Sequence, residues 1–179
     1  MIQSNITAVV AFLTLLSNIV FVVVIISLYV RKDIKNYVYS FVNKYVLELI
    51  FFSSMSALVG SLLYSNVAGF PPCELCWIQR IFMYPQALLS FMAMIWKDKR
   101  MVTYLFPMSV LGGIVAFYQS LTNWGFEGTL LGCTSVGGEC SRVYVLEYGY
   151  ITIPFMALTT FAYLLLISVI YFKSTKERI

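Results

Sequence analysis

The chain has 179 residues, 60% of them hydrophobic and only 11% charged, with a mean hydropathy of +0.85 and a formal net charge of +4. That composition excludes a water-soluble globule, and it excludes disorder, which needs low hydrophobicity and high charge. Histidine is absent, which removes Cys–His nucleophile pairs, His general bases and every His-containing metal site, leaving four cysteines as the obvious chemistry.

Residues 6–30 form an uncharged run longer than the ~20 residues needed to cross a bilayer core. The run lacks the basic leader and small-residue cleavage site of a signal peptide, so it reads as a retained span. A basic flank follows, Arg31-Lys32-Asp33-Ile34-Lys35, and Lys44 closes the connection. Residues 45–67 are the second predicted span, with Glu48 near one end as a solvated carboxylate. The Pro71-Pro72 pair ends that segment, and residues 76–96 form the third span, with a kink expected at Pro85. Lys97-Asp98-Lys99-Arg100 is a short polar turn, so residues 101–122 return antiparallel as the fourth span. That span carries Gly112-Gly113, small residues that let helix backbones approach closely. The longest polar segment, residues 123–150, holds Cys133 and Cys140. Within it, residues 141–148 suit either a short surface helix or a plain loop. Residues 151–172 are the fifth span, and a basic tail follows.

Charge sets the orientation. Arg31, Lys32, Lys35 and Lys44, then Lys97, Lys99 and Arg100, then Lys173, Lys176 and Arg178 make ten of the twelve basic residues. All ten fall on one side of a five-span chain, and the positive-inside rule makes that side cytoplasmic. The N-terminus and all four cysteines then face outward. The basic balance reflects membrane topology and gives no reason to expect nucleic acid.

The densest chemistry lies in Cys73-Glu74-Leu75-Cys76-Trp77-Ile78-Gln79-Arg80. Proline is well tolerated where a helix begins, so the cysteines are expected at a helix mouth, where the positive end of the dipole favours thiolate. Glu74, between them, works against it. Arg80 follows Cys76 by one turn, roughly 6 Å deeper on the same face. An arginine within an apolar span marks a site, although snorkelling towards the headgroups would also accommodate it. Gln79 is either a donor to a ligand carbonyl or a polar packing group. Trp77, Phe82 and Tyr84 read as interfacial belt and packing rather than a binding box.

Four thiols on an oxidising face form disulfides, and two inert staples, or one staple between the loops, are the plainest account. A Cys-x-x-Cys ring is too short to stabilise much, and the Cys133/Cys140 pair is also local. Two outward pairs on separate loops are what thiol–disulfide relay requires. A four-thiolate zinc site is compatible with the count but disfavoured by an oxidising compartment. The electron acceptor has no nucleotide, flavin or haem motif to hold it. A lipid-soluble acceptor would need only an apolar cleft near Cys76 and an anchor such as Arg80. A quinone meets that description, though composition alone does not name it.

These residues resemble the disulfide bond formation protein B (DsbB) family, including its BdbC-like branch. The resemblance rests on Cys-x-x-Cys-x-x-x-Arg at the head of a span and a second Cys pair one helical hairpin later. The Ile151-Thr152-Ile153-Pro154 opening of the last span adds to it. The vitamin K epoxide reductase family uses similar chemistry, but its loop cysteines precede its Cys-x-x-Cys. The resemblance implies an all-α integral membrane fold, an antiparallel four-helix bundle core with one additional N-terminal transmembrane helix. It divides the chain into residues 1–44, the extra helix with its basic connection, a redox domain at 45–172, and a tail at 173–179. It also implies a multi-pass location in a bacterial cell membrane and a quinone cofactor, ubiquinone or menaquinone. Cys133 would take the mixed disulfide from an extracytoplasmic DsbA/BdbD-like thioredoxin-fold dithiol oxidase, and Cys140 would exchange with Cys73. Cys76, its thiolate stabilised by Arg80, would deliver electrons to quinone. The extra first span and the short gap between Cys133 and Cys140 depart from the family pattern.

Overall fold

A computed structural model describes residues 2–125 and 143–176. Five α-helices occur among them: α1 (Ile2–Val30), α2 (Lys32–Leu62), α3 (Glu74–Trp96), α4 (Met101–Asn123) and α5 (Ile153–Lys176). A π-helical turn, Leu63–Val67, extends α2. Four of these segments are long and apolar enough to cross a membrane: Ile6–Val30, Ile34–Val67, Met101–Asn123 and Ile153–Lys176. At 23 residues α3 has the length, ~34 Å against a ~30 Å core. Its apolar character is diluted by Gln79, Gln86 and Ser90, which are buried inside the protein rather than turned to lipid.

Helices α2, α3, α4 and α5 form a closed ring, each packed on its two neighbours. Their shared core includes Val46 and Ile50 of α2, Met83 and Ala93 of α3, Leu105 and Ala116 of α4, and Phe161 and Leu164 of α5. Helix α1 lies outside this ring against α2 and α5. Two polar contacts hold it to α5: the Thr159 hydroxyl donates to Asn18 Oδ1 (3.1 Å), and the Tyr163 hydroxyl donates to the Ser17 carbonyl. Phe21 meets the Tyr163 ring edge-on at 4.9 Å. The rest of α1 is lined with exposed apolar side chains such as Phe12, Leu16, Ile19 and Val23, the surface expected of a helix facing lipid.

The basic connection, left without secondary structure by the sequence, takes a definite form. It is helical, and α2 begins at Lys32. The break lies at Tyr45, whose backbone is non-helical (φ −112°, ψ 23°). A straight 34-residue Ile34–Val67 rod would run ~51 Å, far beyond the bilayer core. The break at Tyr45 divides it where the apolar run starts. At this end the basic segments converge: Lys99 Nζ donates to the Asn43 carbonyl, and Asn43 Nδ2 donates to Ser174 Oγ (3.0 Å). Helix α3 continues through Pro85 in one piece. Residues 143–148 form no helix. Glu147 and Ile151 exchange backbone hydrogen bonds of 3.0 and 2.9 Å around a turn with Tyr148 and Gly149 at positive φ.

The Gly112-Gly113 pair is asymmetric. A Cβ on Gly112 would stand 2.3 Å from two ring atoms of Phe161, whereas one on Gly113 would meet Phe161 Cβ at an ordinary 3.5 Å. Phe161 is fully buried, so the ring has nowhere to move. Gly112→Ala is expected to destabilise the bundle by about 1–3 kcal/mol through overpacking. Gly113→Ala should be close to neutral. Thermal melts of the two variants in one detergent test the contrast, and equal melting points would refute it.

Candidate redox site and cavity

The turn after the π-helical segment brings Cys73 to the N-cap of α3. Its backbone is extended there (φ −73°, ψ 172°), and Cys76 N donates to Cys73 Sγ at 3.4 Å. A cysteine thus fills the position where Ser, Thr or Asp commonly accept from the third helical residue. This local geometry folds the Cys-x-x-Cys ring: the two sulfurs lie 3.1 Å apart as thiols, Cys73 donating to Cys76. A disulfide needs ~2.05 Å, so a small approach of the side chains closes the bond. Cys73 is buried and Cys76 half-buried. The hydrogen bond to Cys76, with burial adding to it, pushes the Cys73 thiol well above its usual range.

Two glutamines organise the pair, one of them unforeseen. Gln119 of α4 donates through Nε2 to Cys73 Sγ (3.1 Å) and to Cys76 Sγ (3.5 Å). Its Oε1 accepts from Gln79 Nε2 at 2.7 Å. Both amides are buried. Gln79 orients the Gln119 amide so that its N–H groups face sulfur. The only sequence signal for Gln119 is a polar residue within a span, facing inward. Nothing local ties it to Cys76, 43 residues away.

Arg80 faces α2. Its Nε donates to Ser61 Oγ (2.9 Å) and its Nη2 to the Ser61 carbonyl (3.1 Å), while the guanidinium lies over the Trp77 ring at 5.1 Å. Trp77 itself is exposed, in keeping with a place in the interfacial belt, and Glu74 is also exposed.

Cys73, Cys76, Gln79 and Arg80 all line one cavity of about 130 Å³ inside the helix ring. Ala57 and Ser61 of α2, Met83 and Tyr84 of α3, Asn123 of α4 and Met156 of α5 complete much of its wall, and no described side chain of α1 lines it. Tyr84, expected as packing, does pack against the core and also lines this cavity. Two of the lining residues carry a buried polar atom, Tyr84 Oη and Asn123 Oδ1, with no hydrogen-bond partner among the described residues. The described residues contain no cluster of three or more His, Cys, Asp or Glu able to hold a metal. Cys133 and Cys140 lie outside the described residues.

The family model for disulfide bond formation protein DsbB matches residues 43–171, leaving α1 outside the match. A probable disulfide formation protein C 2 of Bacillus cereus is 35% identical over 136 residues, covering 76% of this chain and 96% of the relative. Disulfide bond formation protein C of Bacillus subtilis is 41% identical over 110 residues, 60% of this chain and 78% of the relative. A probable disulfide formation protein of Oceanobacillus iheyensis is 38% identical over 137 residues, 74% of this chain and 90% of that protein. No solved structure matches the chain. Helical throughout its described spans, and carrying its paired cysteines at the head of a bundle helix, the chain belongs to the DsbB family of disulfide bond formation proteins.

Proposed function

We propose that the protein is a quinone-dependent thiol–disulfide oxidoreductase of a bacterial cell membrane. In this reading it reoxidises an extracytoplasmic DsbA/BdbD-like thioredoxin-fold dithiol oxidase. The observation that carries the proposal is a Cys-x-x-Cys pair opening directly onto a cavity within the helix ring, with Arg80 in its wall. The cavity suits a quinone: Ala57, Met83 and Met156 offer apolar surface, and Tyr84 Oη and Asn123 Oδ1 are buried polar atoms without partners among the described residues.

The chain's own residues supply the handling of thiols and charge. Gln119, oriented by Gln79, directs N–H groups at both sulfurs, which favours the anionic form of sulfur. Cys73 Sγ holds the proton and donates it towards Cys76. Arg80, fixed by Ser61, places positive charge on the cavity wall next to Cys76 along α3. Closing the Cys73–Cys76 disulfide releases two electrons and two protons. A quinone, when bound, takes up both in becoming quinol. Cys133 and Cys140 form the partner-facing disulfide in this scheme, Cys133 taking the mixed disulfide and Cys140 exchanging with Cys73.

The same reading puts the N-terminus and the cysteines outside the cell. The convergent basic end, with Lys99 at Asn43 and Ser174 beside it, is cytoplasmic. Residues 45–172 are the redox domain, 1–44 an added helix with its basic connection, and 173–179 a tail. Purified protein given a reduced thioredoxin-fold dithiol oxidase and a soluble quinone analogue is expected to form quinol catalytically. Absence of turnover, with the donor reduced and the protein folded, overturns the proposal.

A further inference from the structure

We propose that the Tyr84 hydroxyl is a second anchor for the acceptor, donating a hydrogen bond to an oxygen of the bound ring and selecting acceptors with two ring oxygens. The inference rests on the quinone reading above and names a residue of that same cavity.

Cys76, Arg80 and Tyr84 stand at i, i+4 and i+8 on α3, one stripe along the cavity wall. Each step moves about 6 Å deeper. The guanidinium has five N–H donors, and the contacts to Ser61 engage the Nε and Nη2 groups. Arg80 and Tyr84 therefore both line one largely apolar chamber below the reactive sulfur, the Tyr84 hydroxyl being buried beside it.

The orphaned state of the hydroxyl is what sets Tyr84 apart. The neighbouring hydroxyls are paired: Tyr64 Oη with Met156 Sδ (3.6 Å), Ser65 Oγ with the Ser61 carbonyl (3.1 Å) and Thr160 Oγ1 with the Met156 carbonyl (3.2 Å). Tyr84 Oη is buried with no partner among the described residues. A buried hydroxyl left unpaired is unfavourable, and a phenylalanine would fill the same space without it. A quinone carries carbonyl oxygens at opposite ends of its ring, so two separated donors fit it better than a single charge.

The test uses the full-length protein and Tyr84→Phe, with a short-tailed benzoquinone as probe. Equilibrium dialysis against the oxidised protein, which has no electrons to give, reads binding alone. Loss of one hydrogen bond to a neutral acceptor is expected to weaken binding roughly tenfold and to raise KM for the probe by a similar factor. The melting point should not fall and the alkylation rate of the reduced Cys73–Cys76 pair should not move, because the hydroxyl has no partner among the described residues. Unchanged probe affinity in Tyr84→Phe, with the wild type turning over normally, overturns the role of Tyr84 and leaves the quinone reading intact. A wild type that neither binds nor reduces the probe overturns both.

Discussion

Cys76→Ser is expected to abolish quinone reduction, lowering turnover on the order of a thousandfold or more, as loss of a covalent participant does. Cys76 is the half-buried member of the pair, it lines the cavity, and its sulfur accepts from both Cys73 and Gln119. Serine keeps the shape but has no accessible anion and forms no disulfide. Cys73→Ser should also stop turnover, since ring closure needs both sulfurs. Serine is a good helix N-cap, however, so α3 should keep its start and the protein its melting point. These variants separate catalysis from stapling. If the cysteines were only structural, Cys76→Ser would lower the melting point and leave oxidation of the partner dithiol untouched.

Gln119→Leu carries the second-largest expected effect. It removes the N–H donor 3.1 Å from Cys73 Sγ and 3.5 Å from Cys76 Sγ, and it strands the buried Gln79 amide. A hydrogen bond to a charged group contributes about 1.5–3 kcal/mol, so turnover should fall about 10- to 100-fold. The direction of the redox change follows from the same contact. The donor stabilises thiolate and hence the reduced pair, so its loss should make the dithiol a stronger reductant by about 30–60 mV. Alkylation of the reduced protein at neutral pH should slow in parallel. Gln79→Leu combined with Gln119→Leu removes the stranded amide and should recover melting temperature without recovering the potential. Should Gln119→Leu leave the potential and the alkylation rate at wild-type values, Gln119 is a packing residue and the assignment fails.

How far the site could be read from the chain depends on the range of each interaction. The Cys73–Cys76 spacing, the Pro71-Pro72 turn and the helix start are local, and the structure has all three, with α3 beginning at Glu74. Arg80 and Gln79 were legible as unusual residues in an apolar run, but their partners were not. Arg80 engages Ser61 across 19 residues of separation, and Gln79 engages Gln119 across 40. Tyr84 looked like one aromatic among several at an interface. Its hydroxyl became distinctive only once the ring of helices buried it.

The membrane class, the cysteine motif and the approximate spans were legible in the chain alone. Apolar runs, charges and short spacings act within a helix turn or against the bilayer, without reference to other segments. The tertiary structure decided which faces meet. It turned Gln119 onto the sulfurs, put Arg80 against Ser61, buried Tyr84 Oη without a partner among the described residues, and carried α2 back through the basic connection to Lys32 with its break at Tyr45. These outcomes depend on the rotation and register of packed helices, which are set by side-chain fit between distant segments such as Gly112 against Phe161.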